Sequence, residues 1–225
     1  MTLTLPPKTI ADGQPRVTLI KICGVSTPEA IEVAAQEGAN GIGFVRAKNS
    51  PRYVDLETSK ALLAQTPSTL TSVAVYVDAP SEEIVKLPVD AIQLHGQESE
   101  SVIASLSAQM PKTIVIRGFP FSRSHLNRWQ EHPGIHAVLV DGASAGGGAS
   151  FNYQPLVDIR HTLTSPLILA GGLTPDNVGD VITLLRPWAV DISSGVESAP
   201  GVKDHGAIRA FCQAVRAADR IRSHD

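Results

Sequence analysis

Four short stretches of this sequence end a mostly apolar run with a residue that could act on a ligand. Cys23 follows the run at 18–22, and Asp141 ends the run at 137–141. Two later runs end in Gly171-Gly172 and Ser194-Gly195. A thiol and a carboxyl group can serve as general base and general acid, whereas glycine backbone N–H groups and a serine hydroxyl can bind an anion. The pattern predicts acid–base chemistry on a small, negatively charged ligand.

These stretches belong to a series of predicted β-strands. The strand candidates lie at 18–24, 41–45, 70–77, 91–96, 113–119, 137–141, 167–172 and 189–195. Several are nearly continuous hydrophobic runs, which is typical of parallel strands that are covered on both faces. Segments with a helical pattern separate them.

The helical segments carry start and stop signals. Thr27 and Thr174 each precede a proline and an acid, which is the pattern of a hydroxyl cap followed by a favourable first turn. Asp55 and Ser81 are predicted to cap two further helices, and Gly38 is predicted to end the first one. The last helix, at 207–218, is predicted to bury an apolar stripe formed by Ile208, Phe211, Cys212 and Val215.

Eight strands that each lead into a helix, at about 26 residues per unit, predict an α/β fold of the (β/α)8 TIM-barrel type. We expect one barrel domain at 17–225 and a flexible leader at 1–16. A doubly wound open sheet is the structural alternative. Against it, no G-x-G-x-x-G motif follows the first strand, and glycine-rich ends of the last two strands suit the phosphate site of a barrel.

Composition restricts the classes of partner. The chain has 225 residues, a formal net charge of −3 and a pI of about 6.2, so no basic surface for nucleic acid is expected. No apolar stretch approaches the roughly 20 residues that a membrane span requires. Because Cys23 and Cys212 are the only cysteines, a disulfide framework is excluded, and we expect a reduced, cytoplasmic protein.

Barrel geometry brings the four stretches together. Active sites of this fold lie at the carboxyl ends of the strands, and strands seven and eight lie between strands six and one around the ring. A phosphate bound after strands seven and eight would place the rest of a small ligand across the mouth. Cys23 would then lie on one side of it and Asp141 on the other, as an acid and a base flanking a phosphosugar.

Several sequence blocks resemble the signature of the phosphoribosylanthranilate isomerase family. The blocks are KICG at 21–24, SPRY at 50–53, QLHG at 93–96, GGLTPDNV at 171–178, DISSGVE at 191–197 and GVKD at 201–204. The resemblance runs from residue 17 to 218. It implies a barrel enzyme of tryptophan biosynthesis that converts N-(5-phosphoribosyl)anthranilate into 1-(2-carboxyphenylamino)-1-deoxyribulose 5-phosphate. This Amadori rearrangement needs no cofactor and no metal, and the implied partner is this small molecule, bound by a monomer or a homodimer.

The resemblance also implies roles for individual residues. Asp141 would be the general acid that protonates the furanose oxygen as the ring opens, so it must hold a proton near neutrality. Cys23 would be the general base that removes the C2 proton, which suits a thiol because its ordinary pKa of about 8.5 is within reach of neutral pH. Phosphate would bind at Gly171, Gly172, Ser194 and Gly195.

Two further residues are implied to bind the anthranilate part. Arg52 would hold the carboxylate, since a guanidinium can bind both oxygens at once. His95 would line the same side of the pocket, although a structural histidine held by backbone groups is an equal alternative. Cys212, on a helical apolar stripe, is expected to serve packing only.

Lys21 is predicted to support the base. It shares a strand face with Cys23, so an ammonium inside the barrel would favour the thiolate. A buried lysine needs a partner, and Asp191 on the closing strand is the candidate, counted also among the substrate-binding residues. The alternative places Lys21 outside, between the helices.

One region departs from the family. After strand six the family pattern reads Gly-Gly-Thr-Gly-Lys-x-Phe-Asp-Trp, whereas this chain has AGGGASFNY at 145–153. The lysine is absent, and Asn152 and Tyr153 replace the acid and the tryptophan. This difference leaves reduced activity or an altered substrate preference open. Two other functions stay open at this point: the aminoaldose isomerase of the histidine pathway, and a silent phosphosugar-binding protein.

Overall fold

The computed structural model of the chain describes residues 17–142 and 153–222. The predicted leader at 1–16 and most of the loop that departs from the family pattern lie outside the described residues. Within the described ranges, no helix is long and apolar enough to cross a membrane.

Eight parallel strands form a closed barrel in chain order. They are β1 Leu19–Cys23, β2 Gly41–Val45, β3 Thr71–Tyr76, β4 Ala91–Leu94, β5 Ile114–Pro120, β6 Ala137–Asp141, β7 Leu167–Ala170 and β8 Ala189–Ile192. All eight predicted strands are confirmed. Pairing of β1 with β8, which sets Lys21 opposite Asp191, closes the ring and excludes the doubly wound alternative.

Helices connect the strands on the outside of the barrel. They are α1 Pro28–Gln36, α2 Leu56–Ala64, α3 Ser81–Ile84, α4 Glu100–Gln109, α5 Arg123–Trp129, α6 Gln154–Val157, α7 Val178–Leu185 and α8 His205–Arg222. Short 3-10 turns lie at Arg160–Thr162 and Ser194–Val196. An antiparallel hairpin of β9 Glu197–Ala199 and β10 Val202–Lys203 follows β8, and the sequence did not predict it.

Two of the predicted helix caps are confirmed and two are wrong. Thr27 and Asp55 accept hydrogen bonds from the backbone of the first turns of α1 and α2, and Gly38, at φ +76°, lies just after α1. Ser81 is the first helical residue rather than the cap of α3, because Pro80 holds the extended cap conformation. Thr174 starts a turn instead of a helix, since α7 begins four residues later, at Val178.

Successive side chains of each strand point alternately outward and inward, which divides the core into a layer between the strands and the helices and a layer inside the barrel. In β1, Ile20 and Ile22 point outward and pack against the helices, whereas Lys21 and Cys23 point into the barrel. The lower half of the barrel interior is filled by an apolar cluster that includes Val73, Ala91, Ile116, Leu139, Ile168 and Trp188. The buried charged pair of Lys21 and Asp191 lies above this cluster, toward the carboxyl ends of the strands.

The last helix completes the outer layer, as predicted. Ile208, Phe211, Cys212 and Val215 of α8 are all buried. Asp219 of the same helix accepts hydrogen bonds from the backbone N–H and the hydroxyl of Thr18, at 2.7 and 2.8 Å. These bonds fix the start of β1 and so the height of Cys23 in the barrel.

Candidate active site

A cavity of about 370 Å³ opens at the carboxyl ends of the strands. Nine of the ten residues singled out in the sequence line it: Cys23, Arg52, His95, Asp141, Gly171, Gly172, Asp191, Ser194 and Gly195. The tenth, Lys21, lies directly beneath, with Nζ 2.9 Å from the Asp191 carboxylate. The structure thus brings residues from β1, β4, β6, β7 and β8 to one site.

Lys21 faces the barrel interior, as predicted, and its side chain and that of Asp191 are each only 7% exposed. The ammonium donates to both oxygens of Asp191 and to Oε1 of Gln93, all at 2.9 Å. Burial works against the charged form, but attraction to Asp191 and Cys23 outweighs it and raises the pKa of Lys21. The alternative with Lys21 between the helices is therefore wrong.

The effect of this ammonium on Cys23 is smaller than the sequence led us to expect. Burial raises the pKa of the Cys23 thiol, and the Asp191 carboxylate adds to the rise. Lys21 acts in the predicted direction and lowers the pKa, with a further contribution from Lys203, but the net direction is upward. In the ligand-free protein the sulfur is therefore a thiol at neutral pH, and its thiolate is a stronger base than an ordinary cysteine.

His95 and Asp141 face each other across the cavity, with His95 Nε2 3.6 Å from Asp141 Oδ2. Burial lowers the pKa of His95, although Asp141 and Asp191 oppose the shift, so the imidazole is neutral near pH 7. Tyr153, which stands where the family has tryptophan, is partly buried next to the acid. Burial and the charge of Asp141 together raise the pKa of the Tyr153 hydroxyl.

Arg52 lies at the cavity, but a second residue already holds it. Its Nε and Nη2 atoms donate to the two carboxylate oxygens of Glu197, both at 2.7 Å. Lys203 of β10 donates to the same carboxylate at 2.7 Å, and to the backbone carbonyl of Ser193 at 3.0 Å. The β9–β10 hairpin thus anchors Arg52.

The glycine loops after β7 and β8 are built to approach each other closely. Gly171 and Gly172 have φ angles of +80° and +67°, a region in which other residues are strained. A side chain at Gly195 would clash with the backbone carbonyl of Leu173. Asn177 holds the turn between these segments, because it accepts from the N–H of Thr174 and donates to the carbonyl of Gly172, both at 2.8 Å.

This turn also limits which groups could bind an anion. Thr174 was predicted to cap a helix, but its N–H donates to Asn177 and α7 starts later. The groups that remain as candidates for anion binding are the glycine backbone of 171–172 and the 3-10 turn that starts at Ser194. Both line the cavity.

Three residues of the site belong to the sequence motifs, but no role was predicted for them. Gln93 links Lys21 to His95, while Glu197 and Lys203 fix Arg52. A signal existed for Gln93, since it is a polar residue in an apolar strand and shares a face with His95. For Glu197 and Lys203 no local signal existed, because Glu197 binds Arg52 across 145 residues of sequence and Lys203 acts through Glu197.

Comparison with known proteins agrees with this geometry. The sequence model of the family described as N-(5'phosphoribosyl)anthranilate (PRA) isomerase matches residues 20–214. The N-(5'-phosphoribosyl)anthranilate isomerase of Chlorobaculum tepidum is 40% identical over 219 residues, which cover 91% of this chain and 97% of the relative.

Solved structures give the same result. The phosphoribosyl anthranilate isomerase of Thermotoga maritima superposes with a TM-score of 0.81 at 30% identity, covering 89% of this chain and all of the neighbour. A second phosphoribosyl anthranilate isomerase, solved in complex with reduced 1-(o-carboxyphenylamino)-1-deoxyribulose 5-phosphate, gives a TM-score of 0.78 at 29% identity. The superposition includes 89% of this chain and all of that structure.

Proposed function

The chain belongs to the N-(5'-phosphoribosyl)anthranilate isomerase family, and from this premise we propose that Cys23 and Asp141 are the base and the acid of its isomerase reaction. The substrate is N-(5'-phosphoribosyl)anthranilate. One observation carries the proposal: the thiol, the carboxyl group, an anchored guanidinium and two glycine loops all line a single cavity. A structural neighbour that holds a reduced form of the reaction product supports the choice of ligand.

The first step opens the furanose ring. Asp141 donates a proton to the ring oxygen while the nitrogen lone pair forms the C1=N bond of a Schiff base, and the C1–O bond breaks. The carboxyl group lies at the end of β6, beside the described start of the loop that follows, and its side chain is 28% exposed. A general acid of this kind typically contributes about 10²–10⁴ in rate.

The second step moves a proton off C2. The Cys23 thiolate takes this proton, the C2–H electrons form the C1=C2 bond of the enolamine, and the C=N electrons return to nitrogen. The enolamine then tautomerises to the ketone. Because the thiol pKa is raised in the free protein, the thiolate is a minority species at neutral pH, and the base-dependent limb of the kcat/KM profile is expected to rise with pH until that pKa is reached.

The pairing of Arg52 with Glu197 supports a role in carboxylate binding. A guanidinium has two edges that can each take a carboxylate, and Glu197 occupies the edge formed by Nε and Nη2. Among the described residues, none accepts a hydrogen bond from Nη1. The edge formed by Nη1 and Nη2 can therefore bind the anthranilate carboxylate, with the side chain already held in place.

The phosphate end of the substrate is assigned to the two glycine loops. The backbone at Gly171 and Gly172 and the turn at Ser194 and Gly195 lie at neighbouring strand ends, between the strands that carry Asp141 and Cys23. Backbone N–H groups and a hydroxyl at such a site favour an anion. The pentose would then extend from these loops across the mouth of the barrel.

Neither alternative function is favoured. The aminoaldose isomerase of the histidine pathway would be expected to have aspartate where Cys23 stands, and the family match names the anthranilate substrate. A silent binding protein would not require an acid and a thiol at the same cavity. We further propose that the enzyme acts in the cytoplasm on this one small molecule without a cofactor, as a monomer or a homodimer.

The direct test is fluorescence-monitored consumption of N-(5'-phosphoribosyl)anthranilate by the purified chain. We expect turnover by the wild type and a loss of about 10²–10⁴ in kcat for Asp141→Asn, with binding of the reduced product retained. Asp180→Asn, a change of an exposed acid in α7, is the matched control and should leave turnover unchanged. A wild type without activity, or an Asp141→Asn variant at the wild-type rate, would refute the proposal.

A further inference from the structure

A continuous chain of polar side chains crosses the floor of the cavity, from the side of the base to the side of the acid. It runs Asp191, Lys21, Gln93, His95, Asp141. The successive distances are 2.9 Å, 2.9 Å, 3.2 Å and 3.6 Å. The side chains come from β8, β1, β4 and β6, so the closed barrel alone brings them together.

The orientation of the Gln93 amide follows from its neighbour. Lys21 Nζ is a donor only, and it lies 2.9 Å from Oε1 of Gln93. If the amide were reversed, its NH2 group would face the ammonium, and two donors would meet without an acceptor between them. Gln93 is only 3% exposed, which makes such a mismatch costly. The NH2 group must therefore point the other way, toward His95.

This orientation determines which nitrogen of His95 carries a proton. Nε2 of Gln93 lies 3.2 Å from Nδ1 of His95 and donates to it, so Nδ1 must be the acceptor. The single proton of the neutral ring then sits on Nε2, the atom that lies 3.6 Å from the Asp141 carboxylate. The ring cannot easily swing away from Gln93, because it packs over Gly118, where any side chain would clash with Nδ1.

We propose that Gln93 is a positioning residue that fixes the Nε2–H tautomer of His95, so that this neutral imidazole points its N–H group at the Asp141 carboxylate, 3.6 Å away, and donates a hydrogen bond to it when the substrate is bound. The proposal rests on the role of Asp141 as the general acid. No proton is transferred by His95: when Asp141 has given its proton to the ring oxygen, the N–H group stabilises the carboxylate that remains. Lys21 and Asp191 contribute by keeping the Gln93 amide in one orientation.

The charges around His95 agree with a neutral ring. Burial lowers the pKa of His95, and the cations Lys21 and Arg117 act in the same direction. Asp141 and Asp191 raise it, but the net direction is downward. Protonation of Nδ1 would also set two donors against each other, since Gln93 cannot reverse its amide while Lys21 is charged.

The tautomer can be measured by long-range ¹H–¹⁵N correlation spectra of the ¹⁵N-labelled protein, with His95 assigned by its loss in His95→Gln. We expect a proton on Nε2 and none on Nδ1 between pH 8 and pH 7. In Gln93→Glu a carboxylate can accept from both Lys21 and Nδ1–H, so Nδ1 becomes protonated. Gln97 is exposed and lies in the loop that begins at His95, so Gln97→Glu should leave the His95 signals unchanged. A protonated Nδ1 in the wild type, or the wild-type tautomer in Gln93→Glu, would overturn the proposal.

Kinetics give a second and independent test. Gln93→Met should lower kcat about 10- to 100-fold, which corresponds to one hydrogen bond to a charged group, with little change in KM. His95→Gln, which keeps an N–H donor, should retain more activity than His95→Leu. Under single-turnover conditions, Gln93→Met should cost less than about threefold once Asp141 is already asparagine, because both changes remove the same effect.

The two proposals fail in different ways. If Asp141→Asn alone kept wild-type turnover, the proposed acid would be wrong, while the spectra would still report the tautomer of His95. If Asp141→Asn were inactive and Gln93→Met kept the wild-type kcat, the positioning role would be wrong and the acid would stand. An equal loss from Gln93→Met in both backgrounds would show that Gln93 acts elsewhere, and would also overturn the positioning role.

Discussion

The two cysteines of this chain are similarly buried, but the groups around the two sulfur atoms are very different. Both are free and buried, with 7% of Cys23 and 1% of Cys212 exposed. Burial is the largest cause of a raised thiol pKa at each, and the pKa of Cys212 reaches about 11. Burial and thiol acidity therefore do not distinguish a reactive cysteine from a packing cysteine.

The difference lies in what surrounds each sulfur. Cys23 ends a barrel strand and lines the cavity, and the ammonium groups of Lys21 and Lys203 stabilise its thiolate form. Cys212 lies in the middle of α8 and belongs to the outer apolar core. A buried thiol can take part in a reaction when it faces both a cavity and a paired charge. The same group in the interface of a helix contributes only to packing.

The largest expected difference between the two is in activity. Cys23→Ala should lower kcat by about 10²–10⁴, because it removes the group that takes the C2 proton. Cys212→Ala should keep nearly the wild-type kcat and KM. Steady-state kinetics on both variants, with binding of the reduced product as a check on folding, measure the contrast. Equal activity of the two variants would show that Cys23 has no role as a base.

The second prediction concerns the ammonium group of Lys21, which distinguishes the surroundings of Cys23 from those of Cys212. Lys21→Met leaves the Asp191 carboxylate buried without its ion pair, which should cost about 3–5 kcal/mol in the free energy of unfolding. It also removes the ammonium that lowers the pKa of Cys23, so the rise of kcat/KM with pH should move to higher pH. Urea denaturation and a pH–rate profile test both effects.

Lys60→Met is the matched control, because Lys60 pairs with Glu57 on the exposed surface of α2. Such a pair is worth less than about 1 kcal/mol, and the pH–rate profile should not move. If Lys21→Met were as stable as this control and had the same profile, the buried pair would be irrelevant to the base.

Alkylation compares the thiols directly in the native protein. Iodoacetamide should label Cys23 about tenfold or more faster than Cys212, since only Cys23 lines a cavity that the reagent can enter. Labelling should speed up with rising pH, because the thiolate reacts and the Cys23 pKa is raised, and the reduced product should slow it. Peptide mapping by mass spectrometry gives both rates. Preferential labelling of Cys212 would contradict the contrast.

The smallest effect is the stability contribution of Cys212. Near pH 7, Cys212→Ala should lower the free energy of unfolding by about 1 kcal/mol through lost packing. The folded-state pKa of about 11 lies above the ordinary value of a thiol, so the wild type loses stability as pH rises from that ordinary value toward 11. The stability difference between wild type and variant should therefore shrink above pH 9. A difference that does not change with pH would show that the pKa of Cys212 is the same in the folded and unfolded states.

The sequence could predict the parts of the fold that depend on local patterns. All eight strands follow from short apolar runs, and the caps at Thr27 and Asp55 follow from side chains that can reach the N–H groups of the first turn. The prediction failed at Ser81 and Thr174 because residue type alone does not fix the backbone conformation that a cap requires. Pro80 takes that conformation before α3, and Asn177 builds a turn before α7.

The inward direction of Lys21 was also predictable, since alternation along β1 and the need for a buried partner point the same way. The net pKa of Cys23 was not, because it depends on the balance of burial against two cations and one carboxylate in the finished barrel. The hold of Glu197 on Arg52 likewise depends on the β9–β10 hairpin, which brings together residues 145 positions apart in the sequence.

A crystal structure of this protein with reduced 1-(o-carboxyphenylamino)-1-deoxyribulose 5-phosphate measures the central arrangement most directly. We predict the phosphate at Gly171, Gly172, Ser194 and Gly195. The sugar C2 should lie in van der Waals contact with the Cys23 sulfur, and the Asp141 carboxylate should face the oxygen that closes the ring. A ligand whose phosphate binds elsewhere, or whose sugar contacts only one of the two side chains, would contradict the acid–base pair.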